Sequence, residues 1–211
     1  MARVHSSPLL PSPSPAVACR SERRKVFTLW LKSLVLNGRG CTVYDSDGLI
    51  VYRVDNYDSR CIDNICLMDL RGNIVVNIHK KKLAFGKWEG YRWSGRKQDQ
   101  RAWFKVARPC SGIFHRSSRP SSSSCEFESD AGRAMRYRID DDGGSSHTGK
   151  RACCRIVDAG TGLVVAEVKR KVTAGGVALG EDVLALVVEP DVDHSLIMGL
   201  VLVYGLMNHT M

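Results

Sequence analysis

The stretch from Leu196 to Met207, LIMGLVLVYGLM, constrains this chain more than any other, because it carries no charged side chain along its whole length. A helix on a protein surface shows a polar stripe at helical spacing. This one shows none, so it is enclosed on every side or sits in lipid. Length separates the two cases: crossing a bilayer takes about 20 apolar residues, whereas a run of roughly 10 to 14 is more often a buried core helix. The expectation is a hydrophobic helix sheathed by the rest of the protein.

That rest reads as β-structure. A pattern recurs in VYDSDGLIVYRV (Val43 to Val54), LMDLRGNIVVNI (Leu67 to Ile78) and IVDAGTGLVVAEV (Ile156 to Val168). In each copy an Asp (Asp45, Asp69, Asp158) opens a short turn that a Gly (Gly48, Gly72, Gly162) closes, and a β-branched run follows. Asp accepts backbone hydrogen bonds in tight turns and Gly takes positive φ, so each copy is a β-hairpin. Related hairpins at irregular spacing fit one barrel or sandwich, since a solenoid would keep a fixed period.

With 211 residues and 44% apolar content, the chain supports one sizeable core. A single domain is expected over residues 26–211. Three segments are poor in apolar side chains and fall outside the core: a Ser/Pro-rich basic tail over residues 1–25, and exposed loops near 116–124 and 140–150. The tail reads as disordered. Its basic, Ser-containing composition also suits an organelle targeting segment, whereas its four interspersed prolines break the apolar core that a secretory signal needs.

Eight cysteines show no C-x₂-C knuckle and no repeated pair spacing, so thiols serving as small apolar residues are expected rather than a metal site. No cofactor is implied. Nor is a catalytic constellation visible. Asp193, His194 and Ser195 have the residue types of a hydrolase triad, but sequence neighbours cannot form its relay, and Asp193 or Ser195 capping the apolar helix accounts for them better. The string AGGVALG (Ala174 to Gly180) lacks the Lys of a phosphate loop and reads as a turn between strands. A non-enzymatic protein is expected.

Charge is segregated. The formal net charge is +9, and between Lys80 and Arg108 ten Lys or Arg face only Glu89 and Asp99, whereas no Lys or Arg follows Lys171. Lys169, Arg170 and Lys171 follow the third hairpin where His79, Lys80 and Lys81 follow the second, so both clusters belong at one rim of a barrel. Clustered cations attract dense anions. Lysines also protect an exposed sheet edge from pairing, and the two readings stay open at this level. Trp88, Tyr91, Trp93, Trp103 and Phe104 interleave with the basic stretch, but Trp88, Tyr91 and Trp93 break strand period and suit packing better than a nucleic-acid stacking groove.

The strings WLKSLVLNGRGCTVYDSDGLIVYRVDNYDSRC (Trp30 to Cys61), LMDLRGNIV (Leu67 to Val75), KKLAFGKWEGYRW (Lys81 to Trp93), WFKVAR (Trp103 to Arg108), VAEVKRK (Val165 to Lys171) and LGEDVLALVVEPDVDHSLIMGLVLVYGL (Leu179 to Leu206) closely resemble the LURP-one-related family of plants. The resemblance runs in order from about Val26 to Asn208. The family is similar to the carboxyl-terminal domain of tubby proteins and to phospholipid scramblases. The resemblance implies a barrel of about twelve antiparallel strands around one central hydrophobic helix, with no catalytic residues to carry over. Some members of the family are linked to defence against oomycetes. Tubby domains bind phosphoinositides through surface cations, an analogy at the level of the fold.

The expected function is therefore a binding module for anionic phospholipid or a protein partner. Lys80, Lys81, Lys82, Lys169, Arg170 and Lys171 are its candidate ligand-binding residues. A scramblase-like protein whose helix inserts into the membrane, and a nucleic-acid-binding factor, are the alternatives. A cytoplasmic monomer is expected, peripheral at the plasma membrane or nuclear.

Overall fold

A computed structural model describes residues 20–31, 40–55, 64–82, 86–94, 97–108, 122–141, 153–173 and 175–208. The strands are β1 (Lys25–Trp30), β2 (Cys41–Tyr44), β3 (Ile50–Asp55), β4 (Asn64–Asp69), β5 (Ile74–Lys80), β6 (Lys87–Ser94), β7 (Lys97–Gln98), β8 (Phe104–Ala107), β9 (Ser122–Glu128), β10 (Ala134–Asp141), β11 (Cys154–Asp158), β12 (Val164–Arg170) and β13 (Val183–Val188). Among the described residues one helix, α1 (His194–Met207), follows. All strand pairs are antiparallel, in the order β5-β4-β3-β2-β1-β13-β12-β11-β10-β9-β8-β6, and β5 pairs with β6 to close the ring. Twelve strands thus form a closed barrel, and the two-residue β7 only extends the end of β6.

Closure follows from the alternation along each strand. On β1, Phe27 and Leu29 point inward, and on β12, Ala166 and Val168 do the same. These residues, with Val76, Ile78, Ile156 and Leu186, surround α1 and are nearly or wholly buried. Residues His194 to Leu206 of the helix are all buried. The charge-free segment is therefore the axis of the core, and its uniform hydrophobicity reflects contact with strands on every side.

Four tight hairpins gather at one end, the hairpin rim. In the first, Asp45 Oδ1 accepts from the backbone N–H of Asp47 and of Leu49, both at 2.9 Å. In the second, Asp69 Oδ1 accepts from Arg71 at 2.9 Å and Asn73 at 2.8 Å. Asp158 does likewise for Gly160 at 2.7 Å and Thr161 at 3.3 Å. The closing glycines Gly48, Gly72 and Gly162 have φ of 78, 81 and 74°, a region that side-chain-bearing residues avoid. In all three hairpins the ladder shifts by a bulge beside the turn. The fourth hairpin, between β9 and β10, escaped the sequence pattern because Ser129 replaces the Asp: its hydroxyl accepts from Arg133 N–H at 3.2 Å, and Gly132 takes φ 71°.

Three boundaries differ from the sequence expectation. Ser122 to Ser124, read as loop, begin β9 and pair with Arg138 to Asp140. Asp140 and Asp141, also read as loop, end β10. Residues 20–25, read as part of the tail, are fastened to the barrel. Lys25 pairs with Val188, Asp191 N–H donates to Ser21 C=O at 2.8 Å, and Arg20 and Arg24 form ion pairs with Asp130 and Glu189. Polar composition hides these strands because only every second residue needs to be apolar. Residues 1–19, 116–121 and 142–150 of the expected tail and loops lie outside the described residues.

Cys41, Cys66, Cys125 and Cys154 are buried, and Cys153 is half-buried. Burial pushes the Cys41 thiol up to about 12. Cys19, Cys61 and Cys110 lie outside the described residues.

Candidate functional site

Strands β5 and β12 run in the same direction from the hairpin rim, so their ends, Lys80 and Arg170, reach the same opposite end of the barrel. This end is the basic rim. Six steps around a twelve-strand ring separate β5 from β12, so Lys80 to Lys82 and Lys169 to Lys171 occupy opposite sides of one rim. They form two patches with the barrel end between them.

Each patch is held by acids that leave the cations in water. Lys81 Nζ meets Glu89 at 2.8 Å, Lys169 meets Glu167 at 3.1 Å and Arg170 meets Glu181 at 4.0 Å. Lys171 Nζ donates to Thr28 Oγ1 on β1. Lys80 lies 5.9 Å from the centre of the Trp88 ring, within cation–π range. The more exposed pairs, Lys169 with Glu167 and Arg170 with Glu181, are worth about 0–1 kcal/mol each.

The first patch continues onto the outer wall. Lys81, Lys82, Lys87 and Lys105 line a groove of about 660 Å³ with Ser124 and Glu126. Lys87 and Lys105 join this patch, which their places in the sequence do not signal. Cross-strand pairing of β6 with β8 puts Glu89 beside Lys105, a juxtaposition invisible without the register. Desolvation of Glu89 acts to raise its pKa and is outweighed by hydrogen bonds from Lys81 and Tyr91 and by the charges of Lys81 and Lys105, so the carboxyl titrates below its ordinary value. The hydrogen bond to Glu89 and its charge hold the Lys81 ammonium above the ordinary lysine range.

Two arginines counted with the basic stretch serve α1 instead. Arg92 stacks on Trp103, 3.9 Å from the ring centre, and bonds Asp130 at 2.9 Å and Asp193 at 3.1 Å. Asp193 is the helix cap: its Oδ1 accepts from Ser195 N–H at 2.9 Å, Leu196 N–H at 3.1 Å and the Ser195 hydroxyl at 2.6 Å. At the other end, Arg108 donates to Met207 C=O at 3.3 Å and Asn208 Oδ1 at 2.7 Å, where a cation suits the negative end of the helix dipole. Asp193, His194 and Ser195 are thus a buried cap, with the His194 ring edge-on to Phe27 at 5.2 Å between centroids.

The aromatics divide by face. Trp88, Trp103 and Phe104 are buried; Tyr91 is on the outside of β6, bonding Glu89 at 2.6 Å and packing against His79. Gly176, with φ 78°, turns the chain between β12 and β13. Among the described residues no group of three or more His, Cys, Asp or Glu is placed to hold a metal ion, and no helix is long and apolar enough to cross a membrane.

Geometry and sequence together define a class: a closed antiparallel barrel threaded by a buried carboxyl-terminal helix, with cations spread along one rim. The LURP-one-related family model matches residues 25–205, and the chain belongs to that family. It is 39% identical to Protein LURP-one-related 11 of Arabidopsis thaliana over 86% of this chain and 77% of that one. It is 40% identical to Protein LURP-one-related 4 of the same plant over 98% and 86%, and 35% identical to Protein LURP-one-related 8 over 96% of each. The X-ray structure of another Arabidopsis thaliana protein shares the fold, with a TM-score of 0.56 at 18% identity, covering 90% of this chain and 95% of that one.

Proposed function

We propose that this protein is a non-enzymatic module that docks on the anionic surface of a phospholipid membrane, with phosphoinositide head groups as its preferred contacts. The observation that carries the reading is the placement of Lys80 to Lys82 and of Lys169 to Lys171 on opposite sides of one barrel rim. Two separated patches in one end face suit a plane. A single small ligand would need its cations to converge. Each Lys or Arg near an anionic surface contributes about 1 kcal/mol, so six of them supply useful affinity without a deep pocket.

The protein then acts from the cytoplasm as a monomer attached peripherally to the plasma membrane. The family's link to defence supplies the setting. Other readings have less support. Insertion of α1, as in a scramblase-like role, would expose its buried face and forfeit the core. A nucleic-acid groove would need several exposed stacking rings, whereas three of the five rings in the basic stretch, Trp88, Trp103 and Phe104, are buried.

Vesicle sedimentation tests the proposal. Binding is expected to rise with bisphosphorylated phosphoinositide content, to fall in high salt, and to drop when Lys169, Arg170 and Lys171 are all reversed to Glu. Binding no stronger than that to neutral lipid would remove the membrane and leave a protein partner as the ligand.

A further inference from the structure

The segment joining β12 to β13 leaves the basic rim directly after Lys169, Arg170 and Lys171 and returns as a short ladder of its own. Val172 bridges Ala178, Thr173 N–H donates to Val177 C=O at 2.8 Å, and Leu179 N–H donates to Lys171 C=O at 2.9 Å. The Thr173 hydroxyl accepts from Val177 N–H at 3.2 Å, and Gly176 N–H donates to Thr173 C=O at 2.9 Å. These bonds tie the backbones of Lys171, Thr173, Gly176, Val177 and Leu179 to one another across the segment. Its apolar side chains are not covered: Val172 is 56% exposed, Val177 66% and Leu179 38%. Alternation puts Val177 and Leu179 on one side of the ladder and Val172 on the other.

A shaped hairpin that presents three aliphatic side chains to water beside three cations has the makeup of a membrane anchor. From it we infer that the hairpin formed by residues 171–173 and 175–179 is a wedge that enters the head-group layer of an anionic bilayer while Lys169, Arg170 and Lys171 hold its phosphates. The inference rests on the membrane reading above and adds a hydrophobic component to it. Charge selects this hairpin over the other exposed leucines. Leu49, Leu70 and Leu163 are equally bare but lie at the hairpin rim, beside the turn carboxylates of Asp45, Asp69 and Asp158, which an anionic surface repels. The acids nearest the wedge, Glu181 and Asp182, stand at its base. Glu181 faces Arg170, and the Asp182 carbonyl accepts from Leu31 N–H.

Electrostatic attachment is screened by salt and aliphatic insertion is not, so the two components separate in one experiment. The full chain is sedimented with vesicles of phosphatidylcholine containing phosphatidylserine and a bisphosphorylated phosphoinositide, at low and at high salt. The wild type is expected to keep a salt-resistant bound fraction. The V172S/V177S/L179S variant should lose it, by about tenfold in partitioning for each side chain that inserts fully. The L49S/L70S/L163S variant should bind like the wild type. Brominated lipid should quench the emission of V177W beyond any quenching of the wild type, which reads insertion directly. If V172S/V177S/L179S matches the wild type at both salts and V177W is not quenched, the wedge is overturned and the basic rim stands alone. If the wild type fails to bind these vesicles even at low salt, both the wedge and the membrane reading fall.

Discussion

The ring of Phe104 lies against Gly199 so closely that a Cβ on that glycine would sit 2.9 Å from the ring's Cζ. The same ring also fills the space over Gly90 on β6, where a Cβ would overlap it outright. A strand glycine and a helix glycine thus clasp one wholly buried phenylalanine, and this contact seats α1 against the wall formed by β6 and β8.

Gly199→Asp is expected to unfold the protein or to destabilise it by more than about 4 kcal/mol, since it adds both overlap and an unpaired buried charge. Gly90→Ala isolates the steric part and should cost about 1–3 kcal/mol. Chemical denaturation of both variants is the check. Near-normal midpoints would mean that the helix is not enclosed as described.

The Arg92–Asp193 pair links the barrel wall to the helix cap, so each partner is expected to matter for stability rather than for binding. Asp193→Ala should cost about 1–2 kcal/mol through loss of the cap. Arg92→Met should cost about 1–2 kcal/mol, a figure that already allows for the partial solvent exposure of the guanidinium. A double-mutant cycle should show a non-additive term, because the two side chains touch. Additive effects would separate the cap from the wall.

His194 is buried at the start of α1, and its Nε2 finds no hydrogen-bond partner among the described residues. Burial, reinforced by the charge of Lys25 and opposed by Asp193, holds its pKa below the ordinary 6.5. The folded state therefore binds a proton less readily than the unfolded state. Stability from this residue is complete above about pH 6.5 and declines as pH falls from there through the lowered value. His194→Met should flatten the stability profile over that window. An unchanged slope would assign the pH dependence elsewhere.

Asp130 contributes in a lower window. The hydrogen bond from Arg92 lowers its pKa, desolvation opposes this, and the charges of Arg92 and Arg20 add to the lowering. Its contribution is present above about pH 4 and is lost as pH falls through the depressed folded value. Asp130→Asn should remove that acid-limb component, leaving the His194 component intact. Denaturation midpoints from pH 2 to 7 would separate the two.

The two patches of the basic rim lie on opposite sides of the ring, so their effects on membrane binding should add. Replacing Lys80, Lys81 and Lys82 by Gln, or Lys169, Arg170 and Lys171 by Gln, should each weaken low-salt vesicle binding by about 3 kcal/mol, and the combined variant by the sum. If one patch proves inert, the contact is a local pocket and not a plane.

What the sequence determined by itself is local. Asp and Gly at fixed separation fold the turns at Asp45, Asp69 and Asp158 because the hydrogen bonds involved span only a few residues. The charge-free run from Leu196 to Met207 announced an enclosed helix because no solvent-facing stripe exists in it. Asp193 was legible as a cap for the same short-range reason. Tertiary structure decided everything that depends on strand order and register. It showed that Arg92 and Arg108 serve the helix ends, that Lys105 joins Lys81 and Lys82, and that the two cation clusters share a rim but not a side. It also fitted Phe104 between Gly90 and Gly199. Those relationships join residues far apart in the chain, and closing the ring is what brings them together.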